Sequence, residues 1–315
     1  MLRSALLFCF FLSFSGELCA GVGASGPKER RQKIGGFLSL TMTSPPDWSF
    51  TDPQGRFAIT STKGFRLPAI LQQKIPPCRD VVILCHGYLA NKDYGLMPVL
   101  AEQLPYNTVR FDFHGCGEAE GLEAWSYGGY VDEVDDDLRA MVLFLRSRGL
   151  NVRAIAGHSR GGNNVLIYAF RFDDVPEIIN IAGRFDMSEG VIERFGDKMK
   201  LLGPEGPGFF EFEGGGATRK ITQKCIDARL CIDMSKVKDL KGTQRVLTIH
   251  GTGDMTIPVK AAEKLRELIP TEKHSVQLIE GASHSFTDNP KHANEVVEAA
   301  RKFLEEGDLA VRSPS

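Results

Sequence analysis

From about residue 50 the chain alternates short apolar runs with longer amphipathic stretches, and that alternation restricts it to helices laid over a mostly parallel sheet. Strands are expected at 57–61 and 65–72, joined at Lys63-Gly64 as an opening hairpin, then at 81–85, 109–113, 152–156, 178–181, 246–249 and 276–279. The run at 81–85 is continuously apolar, as suits a strand covered on both faces. Helices are expected over 95–104, 130–148, 163–171, 259–269 and 291–304. Asp132, Asp135, Asp136 and Asp137 fall near the start of the second, where the helix dipole favours negative charge, and read as a solvated face.

At 315 residues and 42% apolar content the chain is large enough for one α/β domain with its own core, expected over 51–305. Residues 25–50 read as an extension and 306–315 as a tail. The interval 186–242 is too long for a simple crossover and carries Gly-Pro punctuation with Phe209, Phe210 and Phe212. It reads as a cap inserted between the sixth and seventh core strands. A surface excursion with Gly214-Gly215-Gly216 as filler is the alternative.

The formal net charge of −2 and the lack of a long basic run give no footprint for a nucleic-acid partner. Residues 1–24 have the build of a targeting leader: Arg3, an apolar run over 5–14, then small residues at Ala20 and Val22-Gly23-Ala24. That run is too short to span a bilayer, so no transmembrane span is expected in the mature chain. The destination read from it is the secretory pathway or the extracellular space, with an organelle reached through a two-step leader as the alternative. Cleavage would leave Cys78, Cys85, Cys116, Cys225 and Cys231, an odd and irregular set that makes neither a disulfide framework nor a zinc site. Free thiols are the expectation for Cys225 and Cys231, with pairing open in an oxidising compartment.

The chemistry concentrates where strands end. Gly157-His158-Ser159-Arg160-Gly161 follows an apolar strand and precedes a helix, the setting of a nucleophile elbow. In an open α/β sheet the reactive groups gather beyond the carboxyl ends of the strands, so partners of Ser159 should follow strands directly. Asp254 does so after 246–249, and His284 after 276–279. His284 would take the Ser159 proton as general base, and Asp254 would orient the imidazole. Asp186 is the alternative acid, a satisfied loop carboxylate being the other reading of it. His86, His114 and His250 also end strands, but each precedes Gly and reads as a hydrogen-bonded turn histidine. His274 precedes its strand and His292 falls in the following helix. The backbone N–H groups of Tyr88 and Arg160 occupy the positions of an oxyanion hole. The glycines at 115, 117 and 121 lack dinucleotide spacing and read as a tight turn at the site's rim.

These motifs together resemble the α/β-hydrolase superfamily, in particular the serine aminopeptidase S33-like branch with its cinnamoyl and feruloyl esterases and monoacylglycerol lipases. The resemblance covers about 55–305 and rests on His86-Gly87-Tyr88, Gly157-His158-Ser159-Arg160-Gly161-Gly162-Asn163, His250-Gly251-x-x-Asp254-x-x-Ile257-Pro258 and Gly281-x-x-His284. The basic residue after the serine, Asn163, and Gly183-Arg184-Phe185-Asp186 look most like plant and algal members. One departure is Ala119, where the branch commonly has serine.

The resemblance and the residues imply a serine esterase acting through an acyl-enzyme on a small-molecule ester, with an apolar or aromatic substrate part suggested by Phe209 to Phe212 if they face the site. No metal or organic cofactor is required. A lipid-directed hydrolase of monoacylglycerol lipase or lysophospholipase type is the alternative, and a non-catalytic binding protein on the same fold is a third reading. Oligomeric state is not legible.

Overall fold

A computed structural model describes residues 46–74, 78–126, 129–240, 244–270 and 272–312. The expected leader and residues 25–45 of the expected extension lie outside them. Eight strands form the main sheet: β1 (Arg56–Thr60), β2 (Arg66–Gln72), β3 (Asp80–Cys85), β4 (Asn107–Phe111), β5 (Asn151–His158), β6 (Glu177–Ile181), β9 (Arg245–Gly251) and β10 (His274–Ile279). Their order is β1-β2-β4-β3-β5-β6-β9-β10. The β1–β2 and β2–β4 pairings are antiparallel and the rest are parallel.

The pleat sorts the side chains of β3: Val81, Ile83 and Cys85 enter one core cluster, Val82 and Leu84 the other. The first face is covered by α3 (Arg139–Ser147) and α4 (Arg160–Phe172), the second by α1 (Leu96–Gln103) and α8 (Pro290–Arg312). Leu265 of α7 (Lys260–Leu268) joins the first cluster. This is the α/β-hydrolase fold. β3 connects to β4 on one side and is flanked by β5 on the other, so the strand order reverses there, and a crevice opens beyond the carboxyl ends of β3 and β5.

Three expectations need correction. The fourth strand pairs over Asn107–Phe111 and not over 109–113: after one last bond from Asp112 N–H to the Pro68 carbonyl the chain turns away, and the Asp112 carboxylate accepts from the backbone of Lys92 at 2.7 Å and of Glu118 at 3.0 Å to hold that turn. Nor do the four aspartates make one solvated face. Between α2 (Tyr130–Asp132) and α3 the chain widens into a π-helical turn, Glu133–Leu138, which carries Asp137 into the core. There Asp137 accepts from His114 Nδ1 at 2.7 Å, while Asp132 and Asp136 hold Lys63. Third, two boundaries move: α8 continues through residues 306–312, read from the sequence as tail, and β10 begins at His274, expected just before its strand but paired with Val246.

Between β6 and β9 the cap contains α5 (Val191–Phe195), a hairpin of β7 (Phe209–Gly214) and β8 (Ala217–Thr222), and α6 (Gln223–Leu230). Gly215 and Gly216 turn the hairpin with positive φ, and a β-carbon on Gly215 would lie 2.5 Å from the carbonyl oxygen of Leu89. The glycine run is therefore a tight turn pressed on the loop after β3. Phe210, Phe195, Ile221, Ile226, Trp125 and Cys116 close a third apolar cluster beneath the cap. Buried Arg219 clamps the hairpin down: it stacks on Trp125 at 4.6 Å and donates to the carbonyls of Gly115 at 2.6 Å and of Gly214.

Candidate active site

Ser159 sits on a sharp turn in the crevice. It has φ 56° and ψ −116°, between β5 and the first residue of α4, a conformation that a non-glycine residue holds only when its surroundings enforce it. The enforcement is visible. Ser159 N–H donates to the Ile181 carbonyl at the end of β6 at 2.8 Å, and its own carbonyl accepts from Asn163 N–H at 3.1 Å to start the helix. A β-carbon on Gly157 would fall 2.1 Å from the Gly161 carbonyl oxygen, and one on Gly161 2.2 Å from that of Cys85. Strand and helix can cross this closely only over glycine.

The structure brings the three expected side chains together. Ser159 Oγ lies 2.9 Å from His284 Nε2, and His284 Nδ1 lies 2.7 Å from Asp254 Oδ2. The other oxygen of Asp254 accepts from the backbone of Thr256 and Ile257, each at 2.8 Å. Burial opposes the Asp254 charge, but His284 and these two amides outweigh it and hold the carboxyl below its usual range. An ionised carboxylate on Nδ1 fixes the imidazole tautomer whose Nε2 accepts the serine proton.

His158 adds a second restraint: its Nε2 donates to the backbone carbonyl of His284 at 2.7 Å. Burial, with His284 nearby, pushes the His158 pKa down to about 4.

Asp186 is elsewhere. It is exposed and accepts from the backbone and hydroxyl of Ser188 at 2.9 and 2.6 Å, as a satisfied loop carboxylate does. His86 accepts from Phe113 N–H at 3.1 Å, His114 donates to Asp137, and His250 donates to the Ile257 carbonyl at 2.8 Å. All three therefore serve turns. Cys85 is buried and its thiol pushed up by desolvation, and none of the described cysteines is in a disulfide.

The expected oxyanion donors flank the serine. Gly87, just before Tyr88, packs against it, a β-carbon there lying 3.3 Å from Ser159 Cβ. Arg160 N–H opens α4, where backbone donors lack helical partners. Neither N–H donates to an acceptor among the described residues.

Residues the sequence did not single out surround this core. The Arg160 side chain is paired with Glu133 at 2.8 Å and lies 4.2 Å over Tyr130 and 4.8 Å over Trp125. Burial opposes the Arg160 charge, but Glu133 and Tyr130 more than compensate and raise its pKa. Glu133 also accepts from Asn164 at 2.7 Å, tying the π-helical turn to α4. Arg184, Arg194 and Arg229 line the cavity that Ser159 enters. Only Arg184 stood in a quoted motif, and the other two are scattered cap residues without spacing to mark them.

A family profile described as alpha/beta hydrolase fold matches residues 80–201. Among solved structures the chain resembles Est1E from Butyrivibrio proteoclasticus bound to ferulic acid, at 20% identity and TM-score 0.63, over 79% of this chain and 98% of that one. It also resembles the alpha/beta hydrolase GrgF from Penicillium sp. sh18, at 17% identity and TM-score 0.66, over 81% and 99%. Alpha/beta hydrolase domain-containing protein 10 from mouse aligns at 18% identity and TM-score 0.57, over 80% and 98%. At these identities the likeness shows the fold. No curated protein matches the sequence significantly.

Proposed function

We propose that the protein is a serine hydrolase of carboxylic esters. The observation that carries this is the unbroken chain from Ser159 Oγ through His284 to the buried Asp254 carboxylate, set on a strained turn in the crevice. His284 Nε2 takes the serine proton as Oγ attacks the carbonyl carbon, and the N–H groups of Tyr88 and Arg160 hold the resulting oxyanion. Collapse breaks the ester C–O bond, and His284 returns the proton to the departing alcohol. Water then attacks the acyl-enzyme, again losing its proton to His284, and the acid leaves with Ser159 restored.

The Est1E likeness makes feruloyl and other aryl esters the first substrates to assay. A fluorophosphonate probe should label the wild type and not Ser159→Ala, and the variant should lose ester turnover. An unlabelled wild type, or a variant as active as the parent, would sink the reading. Residues 1–24 fit a secretory or organellar leader, which sequencing the mature N-terminus would test.

A lipid-directed hydrolase is the second reading, favoured by two exposed apolar side chains bordering the cavities beside Ser159: Tyr94 and Met255, the latter 94% exposed. It requires the rate to jump when a long-chain ester passes from monomers to micelles.

A further inference from the structure

Four arginines, Arg160, Arg184, Arg194 and Arg229, line the cavity that contains Ser159, and their counter-ions do not balance them. Arg160 is matched by Glu133. Arg184 reaches Glu189 only at 3.5 Å, and Glu189 is held more closely by Lys260, at 2.5 Å. Arg194 and Arg229 have no carboxylate within ion-pair distance among the described residues. Arg229 donates from Nε to the Met187 carbonyl at 2.8 Å and from Nη2 to the Glu189 carbonyl at 2.5 Å, which holds α6 to the start of the cap and leaves Nη1 without an acceptor among the described residues. Burial depresses its pKa and Tyr130 partly restores it, while Arg184, Arg194 and Arg160 depress it further. Arg194 stacks on Tyr88 at 4.2 Å and borders Ser159 from the side that His284 also lines.

Like charges gathered in a half-buried cavity repel, and an anion lodged among them would relieve that repulsion. A guanidinium presents its N–H groups in the planar fork that fits the oxygens of a carboxylate or a phosphate. We infer that the ester hydrolysed here carries an oxyacid anion, carboxylate or phosphate, which Arg184, Arg194 and Arg229 hold while its carbonyl rests on Ser159. This deepens the serine-hydrolase reading and rests on it. The anion is a spectator: water still cleaves the ester into acid and alcohol, and the charged group leaves unchanged on its fragment.

The test compares 1-naphthyl hydrogen adipate, the matching phosphonate-terminated ester and the neutral 1-naphthyl hexanoate, with wild type, Arg194→Gln and Arg229→Gln. Arg194 is exposed on the cap, so its variant should fold even if Arg229→Gln does not. We expect kcat/KM at least tenfold higher for an anionic ester in the wild type, with that ratio falling at least tenfold in Arg194→Gln. Whichever anionic ester shows the larger ratio names the oxyacid. No anionic preference in the wild type, or a preference untouched by both variants, overturns the inference, and the hydrolase reading then stands on turnover of the neutral ester. Calorimetric binding to Ser159→Ala separates the two claims. Arg194-dependent binding of the charged esters without wild-type turnover would uphold the anion site and remove the hydrolase.

Discussion

Asn163 and Arg184 exchange two hydrogen bonds in the interior: Asn163 Nδ2 donates to the Arg184 carbonyl at 2.5 Å, and Asn163 Oδ1 accepts from the Arg184 N–H at 3.1 Å. The pair ties the first turn of α4, which begins at the elbow, to the chain leaving β6. Asn163→Leu would leave that buried N–H and carbonyl unsatisfied. The expected loss is about 1–3 kcal/mol of stability, read as a lower denaturant midpoint with an unchanged m-value.

Glu133 and Arg160 are the second such tie, and here both partners are charged. Glu133→Ala strands a buried guanidinium, for which a loss of about 3–5 kcal/mol is expected. Chemical unfolding followed by circular dichroism would show it. A near-neutral result would mean that the aromatic rings alone hold Arg160.

Asp254→Asn keeps the shape of the acid but removes its charge and lets the side chain favour the wrong imidazole tautomer. Ester turnover should fall on the order of 10³- to 10⁴-fold in kcat, with KM little changed and an intact circular dichroism spectrum. An undiminished kcat would take Asp254 out of the catalytic chain.

His158 gives the protein a pH signature. Its folded-state pKa is about 4 against 6.5 for the free side chain, so between those values the unfolded chain binds more protons. The stabilisation is fully present above pH 6.5, fades as pH falls toward 4 and changes no further below. A difference of that size is worth about 3 kcal/mol. Urea midpoints measured across this window should fall for the wild type and fall less steeply for His158→Gln.

The strand-and-helix alternation carried the sheet into view because β3, β5, β6 and β9 are buried on both faces and so read as short, mostly apolar runs, continuous in β3 and broken by single polar residues such as Arg153, Asn180 and Thr248 in the others. Ser159, Asp254 and His284 were legible for a related reason: each directly follows a strand, and strand ends converge in this architecture. What was hidden is polar and assembled across the chain. Asp137 looked solvated because one residue of π-helical widening, invisible in composition, turns it inward onto His114. Arg194 and Arg229 come from separate cap helices and meet only once the cap is folded over Ser159.

Arg219 has a consequence for traffic through the site. By fastening the β7–β8 hairpin to the Gly115 carbonyl and to Trp125, it makes the roof continuous with the floor of the cap on that side. A hairpin pinned in this way forms a fixed part of the site's wall, and the neighbouring openings lie elsewhere, one bordered by Tyr94 and another by Met255. In the hydrolase proposed above, the shape of those openings, more than the reach of any moving flap, would set which molecules can arrive at Ser159.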